Sequence, residues 1–454
     1  MALQVVILAA GAGTRMKSKL PKVLQPLAGK PLLGHVLSAA QKLHPEDILV
    51  VYGHGGDAVR SAYQHHSLLW VEQEEQLGTG HAAQLAMASV DDDDATILIL
   101  YGDVPLLTAE TLSTLIQRSN KKTLSLLTVS LEDPTGYGRV VRIDDKVQAI
   151  VEQKDATSEQ LAIKEINTGI LAVPAGPLKR WLQHLNCDNA QQEYYLTDII
   201  ELAVGDGFTV ETCSPRNSNE VMGVNDKIQL ANLERQWQWT QAEHLMQQGV
   251  TLVDPHRLDI RGTLEVGQDV FIDANVVIEG PVVLGDGCHI GPFCHIKDAV
   301  LGCDVRINSH TVIDSATVGD NCIIGPFARL RPDTKLDTKV HVGNFVELKK
   351  SEVAHGSKIN HLAYIGDAEI GRHVNVGAGT ITCNYDGLAK HKTVIKEGAF
   401  IGSDTQLGAP VIVGAGAVIG AGSTITKDTP DNELTLSRSE QKTIKGWMKK
   451  HRPE

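Results

Sequence analysis

The chain has no surplus of positive charge: 42 Lys and Arg stand against 55 Asp and Glu, a formal net charge of −13. Nucleic acid is therefore not the expected partner, and an anionic substrate must be held by local cations against the overall field. There is no CxxC pair among the seven cysteines. Three of them, Cys288, Cys294 and Cys322, occupy the small inward position of a repeat described below, so they read as packing residues in a reducing compartment rather than disulfides or metal ligands. Long hydrophobic runs are also missing. The opening MALQVVILAAGAG lacks a charged leader and its apolar run is broken by glycine, which argues against a signal peptide and a membrane span. A cytoplasmic location is the expectation, and 454 residues exceed one core and point to two or three domains.

What is present is a period. From about Leu264 to Lys427 a large aliphatic residue returns every six positions: Val266, Ile272, Ile278, Leu284, Ile290 and Ile296 open it, and Ile395, Ile401, Leu407, Val413, Ile419 and Ile425 close it. Six is neither a helical nor a strand period; it marks a hexapeptide β-helix, each hexad forming one flat side of a coil. The residue four after the aliphatic is small or β-branched (Val276, Cys288, Thr311, Ala328, Ser357, Thr380, Ala417) and fits a crowded interior corner, while the glycine that often follows the aliphatic (Gly267, Gly343, Gly402) is expected to ease a turn. Phase slips of five at Leu301, Val318, Val353 and Ile370 suggest shorter corners.

Residues 1 to about 225 alternate apolar strands (Gln4 to Ala10, Asp47 to Tyr52, Ala95 to Tyr101, Leu124 to Ser130) with helical patterns (Leu32 to Leu43, His81 to Ser89, Thr108 to Arg118). This βαβ order puts ligands at the carboxyl ends of the strands. The acidic run Asp91 to Asp94 reads as a solvated turn. The first strand ends in LAAGAGTRM, followed by Lys22. A glycine loop after a buried strand lets backbone N–H groups approach phosphate oxygens, with Arg15 and Lys22 neutralising charge; a tight turn with two surface cations is the alternative. It fits neither a kinase-type loop nor a dinucleotide fingerprint. Asp103, ending a buried strand, reads either as a cation ligand or as a cap for the helix beginning at Thr108. Asn225 to about Gln248 has helical composition with Leu230, Leu233 and Trp237 on one stripe, a strut of roughly 36 Å at 1.5 Å per residue.

The repeat breaks on a large scale once, at Thr382 to Thr393 (TCNYDGLAKHKT), and loops expelled from a regular coil are disproportionately functional. Before it, Arg329, Arg331, Lys349, Lys350, Lys358 and His361 fall on successive coils. They are expected to stack into one basic patch, or alternatively to form a solvated face.

The motifs LAAGAGTRM, QLGTGHA, YGDVPL, PTGYGR, VEQKDA, EINTGI and EYYLTD, followed in the coil by GPFARLRP, HVGNFVELKK, NHLAYIGD, NVGAGTITCNYDG and IGSDTQLGAP, carry a resemblance. In this order, across nearly the whole chain, they resemble the bacterial bifunctional N-acetylglucosamine-1-phosphate uridylyltransferase / glucosamine-1-phosphate N-acetyltransferase family. The resemblance implies an α/β Rossmann-like nucleotidyltransferase domain (1–226), a linker helix (227–250) and a left-handed parallel β-helix with a C-terminal tail (251–454).

For the first activity it implies Mg²⁺ on Asp103 and Asn225, triphosphate on Arg15 and Lys22, and the nucleotide along Leu8, Ala9, Ala10 and Gly11. Gln73, Gly78 and Thr79 recognise uracil and adjoining groups, Tyr101 and Gly102 also bind substrate, and Gly138, Glu152 and Asn167 contact the N-acetyl sugar. For the second it implies Arg331, Lys349, Tyr364 and Asn375 on glucosamine-1-phosphate, His361 as base and Glu347 as assistant. Ala378, Asn384, Tyr385, Ser403, Ala421 and Arg438 serve acetyl-CoA, with the two loop residues Asn384 and Tyr385 also near substrate. Small-molecule substrates (UTP, glucosamine-1-phosphate, acetyl-CoA), no membrane partner, and a homotrimer complete the expectation. Ala12 stands where many relatives carry Lys, and HLA at His361 where they often have HLT. Two other functions stay open: a single-activity nucleotidylyltransferase with a structural or regulatory coil, and a non-catalytic scaffold, against which Arg15, Lys22, Asp103 and Asn225 argue.

Overall fold

The computed structural model describes residues 2–448; the last residues of the expected C-terminal tail, 449–454, lie outside the described residues. The chain divides into two compact units, Met1–Trp237 and Gln238–Glu454.

The first unit is built on a nine-stranded sheet whose central order is Thr209–Cys213, Thr123–Ser130, Glu165–Pro174, Thr96–Tyr101, Leu3–Leu8, Asp47–Tyr52, Leu69–Glu72. Leu3–Leu8 is paired in parallel on both sides, with Asp47–Tyr52 and Thr96–Tyr101. Its Val5, Val6 and Ile7 are buried, as are Ile97 to Leu100, which is why both strands read as unbroken apolar runs. The expected helices appear as Leu32–Gln41, Thr79–Met87 and Ala109–Arg118. One element departs from a purely parallel reading: Glu165–Pro174 runs antiparallel to both of its neighbours in the sheet. It continues from a hairpin, Arg139–Ile143 with Lys146–Val151, and this stretch carries the motifs PTGYGR, VEQKDA and EINTGI. The acidic run is a solvated turn, with Asp93 and Asp94 meeting Lys179 and Lys121 at 2.6 and 3.0 Å.

The second unit is a parallel β-helix. One ladder runs through eleven strands from Thr251–Leu252 to Leu434–Thr435, and a sixteen-stranded sheet supplies the other two faces. The hexad aliphatics and the small residues four positions on, including Cys288, Cys294, Cys322, Thr311, Ser357, Thr380 and Ser423, form its buried interior. All seven cysteines are unpaired; burial pushes the Cys288, Cys294 and Cys322 thiols up to about 11. The phase slips are short coils: Leu284 lies opposite Leu301, Leu301 opposite Val318, Leu336 opposite Val353 and Val353 opposite Ile370, each seventeen residues on, where regular coils such as Phe271 to His289 take eighteen.

The glycines play a different part from the one expected. Of those that follow an aliphatic, only Gly325 has a positive φ. A Cβ on Gly343 would lie 2.0 Å from the Asn360 carbonyl oxygen of the next coil, and one on Gly402 2.4 Å from the Ala421 nitrogen. Coil-to-coil contact, and not turn conformation, demands glycine there. The left-handed corners belong to other side chains, among them Phe293, His310, Phe327 and Phe345. Their rings stack from coil to coil at centroid distances of 5.0, 4.7 and 5.4 Å, an attraction that offsets the backbone cost.

The helix Lys227–Gln247 belongs half to each unit. Leu233, with Leu230 and Trp237 beside it, packs on Met16, Leu27, Leu32 and Val224 of the first. Gln238 donates to and accepts from the backbone of Ile260, and Leu245 enters the core of the second.

Candidate active sites

In the first unit the residues after three parallel strands converge as the strand order predicts. Leu8, Ala9, Ala10 and Gly11, then Gln73, Gly78 and Thr79, then Tyr101 and Asp103, line one cleft of about 460 Å³ together with Lys22. The loop after Leu8 passes so close to Lys22 that a Cβ on Gly13, itself at φ 59°, would stand 2.7 Å from the Lys22 Cβ. Lys22 Nζ is thereby held against the Asp103 carboxylate, with Asn225 Oδ1 at 3.4 Å. Asp103 is not the helix cap: Thr108 fills that role, its hydroxyl accepting from the Thr111 N–H. The Asp103 carbonyl accepts from Val224 N at 2.9 Å, which fixes Asn225 beside it. Two hard oxygens facing one shared cation position are a donor set that suits Mg²⁺ completed by phosphate oxygens and water.

Gln73 is buried and its amide nitrogen meets Gly78 O and His81 Nδ1 at 3.1 and 3.2 Å. Gly78 has φ 110°, and a Cβ there would lie 2.6 Å from the Tyr194 carbonyl. Among the residues expected at the N-acetyl sugar, Gly138 O accepts from Asn167 N at 2.9 Å, and a Cβ on Gly138 would stand 3.3 Å from Glu152 Oε1. The motif EYYLTD knits the two sides: Gly80 N donates to Tyr194 O, Leu196 N to Thr79 Oγ1, Thr197 Oγ1 to Glu152 Oε1 and Tyr195 OH to Asp155. Burial pushes the Glu152 carboxyl up, and burial reinforced by Glu152, Glu201 and Asp155 pushes Asp198 up to about 6.

Six expected residues, Arg15, Gly102, Gly138, Glu152, Asn167 and Asn225, fall outside the cleft lining. Arg15 is exposed on the short turn Thr14–Met16, and Gly102 packs beneath it against Ala9 and Val23. Ala12, Gln76 and Glu193 line the cleft without having been assigned a role, although Gln76 and Glu193 sit in motifs the sequence already singled out.

In the second unit the basic patch divides. Arg329, Glu347 and Tyr364 are register partners on one face, whereas Lys358 pairs with His341 and Asn375 on another. A three-sided coil sends consecutive hexads to different faces, so Lys358 and Asn375 do not join the column of Arg329. Nor is the charge uniform: Arg331 pairs with Glu347 at 2.8 Å and Lys350 faces Asp367 at 4.0 Å. Around Tyr364 the expected residues do gather. A Cβ on Gly366 would meet the Tyr364 hydroxyl at 2.6 Å and the Asn384 amide at 2.7 Å, and Asn384 donates to Asp367 at 2.5 Å.

The expelled loop lengthens one coil, Asn375 to Phe400, to twenty-five residues. It returns through a Tyr385–Lys390 bridge, and Asp386 accepts from Leu388 N, Ala389 N and His391. These bonds, that from Ala389 N first, hold its carboxyl well below the usual range. Lys390 comes back to Lys349, and hydrogen bonding to that amine, followed by its charge, lowers the Lys390 pKa. Sequence spacing gave no sign of Lys390 or Asp367, because the loop's return path decides it. His361 is exposed at the end of the strand Lys358–His361. Ala378, Ser403 and Ala421 stack on successive coils, with Asp404 N donating to Ala378 O and Gly422 N to Ser403 O, and Arg438 closing the column on Ala421 O at 2.7 Å.

A strand-end cleft behind a glycine loop in one unit and a hexapeptide coil with an expelled loop in the other are the architecture of a nucleotidyltransferase joined to an acyltransferase. The family descriptions that match agree: MobA-like NTP transferase domain over residues 5–154, GMPPB C-terminal domain over 260–336, and bacterial transferase hexapeptide (six repeats) over 392–427. Curated relatives named bifunctional protein GlmU include those of Methylococcus capsulatus, 55% identical with 99% of this chain and 97% of the relative covered, and Marinobacter nauticus, 56% identical with 98% of each covered. That of Acinetobacter baumannii is 54% identical, with 97% of each covered. The chain belongs to the bifunctional GlmU family. It is an enzyme with uridylyltransferase and acetyltransferase activities that acts on small molecules and uses acetyl-CoA, and the single-activity alternative is not favoured. Among the described residues no helix is long and apolar enough to cross a membrane.

Proposed function

We propose that the coil acetylates glucosamine-1-phosphate first, and that the N-terminal unit then joins the product to UMP from UTP, giving UDP-N-acetylglucosamine, a cell-wall precursor, and pyrophosphate. The observation that carries the second step is Lys22 held between Asp103 and Asn225 at the mouth of the glycine loop. The sugar phosphate and the α-phosphate are both anionic, so catalysis is positioning and charge neutralisation. The backbone of Leu8 to Gly11 cradles the triphosphate, Lys22 and the exposed Arg15 neutralise it, and Tyr101 and Gly102 form the floor. Gln73, Gly78 and Thr79 hold the base, and Gly138, Glu152 and Asn167 the N-acetyl sugar. Asp103 and Asn225 would hold Mg²⁺, which when bound offsets negative charge on the phosphates.

In the coil, Arg331, Lys349, Tyr364 and Asn375 bind the amino-sugar phosphate. Its amine is largely protonated near neutrality and cannot attack a thioester until a proton leaves; His361 takes that proton. Asn384 and Tyr385 flank the substrate, and Ala378, Ser403, Ala421 and Arg438 bind acetyl-CoA. The chain works as a cytoplasmic homotrimer, a reading supported by seven unpaired cysteines and by flat coil faces that can pack threefold. Residues 1–226 form the uridylyltransferase domain, 227–250 the linker and 251–454 the acetyltransferase.

The test is product analysis after mixing protein, glucosamine-1-phosphate, acetyl-CoA, UTP and Mg²⁺. Asp103→Asn should lose uridylyl transfer at limiting Mg²⁺ and keep acetyl transfer, whereas His361→Ala should lose about 10²-fold or more of acetyl transfer and keep uridylyl transfer. Equal loss of both activities in either variant would overturn the assignment.

A further inference from the structure

We infer that Asn344 is a positioning residue for acetyl transfer, fixing the His361 imidazole in the tautomer whose free lone pair is on Nε2. The inference rests on the reading of His361 as the base and deepens it. Asn344 ends the strand His341–Asn344 and lies directly opposite His361 in the parallel ladder. Its side-chain Oδ1 stands 3.0 Å from His361 Nδ1, and its backbone carbonyl accepts from Leu362 N at 3.1 Å. One residue thus holds both the ring and the corner on which the ring sits.

The chemistry follows from what a neutral imidazole can offer. It has one N–H and one lone pair, and a base needs the lone pair on the nitrogen that faces substrate. An amide oxygen is an acceptor only, so the Nδ1 facing it carries the hydrogen and Nε2 is left to receive the proton from the amine. The same arrangement keeps the ring from rotating about its exposed bonds, which matters because His361 is otherwise open to solvent. Few other titratable groups surround the ring. The strand on one side carries His341, the strand on the other, Asn375–Val376, carries none, its own strand carries Lys358, and Glu347 and Tyr364 follow on the next face. Because Asn344 is uncharged, it orients the imidazole without placing a formal charge beside it.

Two substitutions separate orientation from mere packing. Asn344→Leu keeps the side-chain size, removes the acceptor, and should lower kcat for acetyl transfer about tenfold or more while KM for both substrates stays within about twofold. Asn344→Asp keeps an acceptor in place but adds a negative charge that favours imidazolium. It should therefore retain activity at high pH and move the acid limb of kcat/KM to higher pH. Uridylyl transfer should stay at the wild-type level in both, which also reports that the chain has folded. If His361→Ala is inactive while Asn344→Leu acetylates at the wild-type rate and Asn344→Asp leaves the pH profile where it was, the inference is overturned and the base assignment stands. If His361→Ala itself acetylates near the wild-type rate, the base assignment falls, and this inference with it.

Discussion

Asp198 carries unfavourable charge among Glu152, Glu201 and Asp155, and replacing it should stabilise the protein. The carboxyl sits at the end of the turn Leu196–Asp198, where burial first, and then Glu152, Glu201 and Asp155, push it up from 3.8 to about 6. A rise of about two units corresponds to roughly 3 kcal/mol against the ionised form at about 1.4 kcal/mol per unit. Asp198 is only half-buried, so solvent screening reduces the expected gain of Asp198→Asn to about 1–2 kcal/mol at pH 8. The side chain makes no capping hydrogen bond to the helix Ile199–Gly205 that follows, so the amide forfeits little.

The pH dependence fixes the sign. The folded protein binds the Asp198 proton more tightly than the unfolded chain, so this group favours folding least when ionised in both states; its penalty is full above about pH 7 and recedes as pH falls through 6 toward 3.8. Asn removes the penalty, and its advantage should shrink to about a fifth of its pH 8 value by pH 4. Urea or thermal unfolding of wild type and Asp198→Asn, followed in parallel at pH 8, 6 and 4, measures the difference. A variant less stable than wild type at pH 8, or a difference that does not change with pH, would refute the reasoning.

Gly343→Ala should collapse the coil locally, since its Cβ would lie 2.0 Å from a backbone oxygen of the next turn; a loss above about 3 kcal/mol is expected, beyond ordinary overpacking, seen as lost acetyl transfer with uridylyl transfer retained. Leu233→Ala should cost about 2–5 kcal/mol, because the side chain is buried among Met16, Leu27, Leu32 and Val224; chemical denaturation followed by uridylyl activity reports it. For the same reason a chain ending at residue 226 should be less stable than one ending at 247, a difference that limited proteolysis would reveal.

The period of six was legible because each hexad specifies its own geometry: an aliphatic inward, a small residue four on, and a polar edge. Even its irregularities translated, the slips at Leu301, Val318, Val353 and Ile370 being coils one residue short. The strands around the phosphate cleft were legible for a related reason. Ile97 to Leu100 must be apolar throughout, since helices cover both faces of the sheet. Glu165–Pro174 escaped because its direction depends on the hairpin before it, and nothing local records whether a buried strand runs with or against its neighbours. The glycines after the aliphatics were placed correctly and explained wrongly: a sequence shows that glycine is present, while only the neighbouring coil shows why.

The cations before the expelled loop were legible as residues and not in their grouping. Lys349 and Gly366 are neighbours because a seventeen-residue coil sets them opposite each other, and Lys358, only nine positions past Lys349, leaves for another face for the same reason. Counting cations along the chain therefore predicted one patch, where the coil makes a corner. That corner is chemically more useful than a uniform basic face. Glu347 on Arg331, and Asp367 facing Lys350 and Asn384, hold the side chains in place and leave Lys390 beside Lys349, which disfavours the charge on Lys390. Two neighbouring cations suit an anion, and on the proposed assignment that anion is the sugar phosphate, which would relieve their repulsion as it binds. The same reading applies to the other unit, where Lys22 rests on Asp103 and a bound phosphate would offer the lysine a second anionic partner.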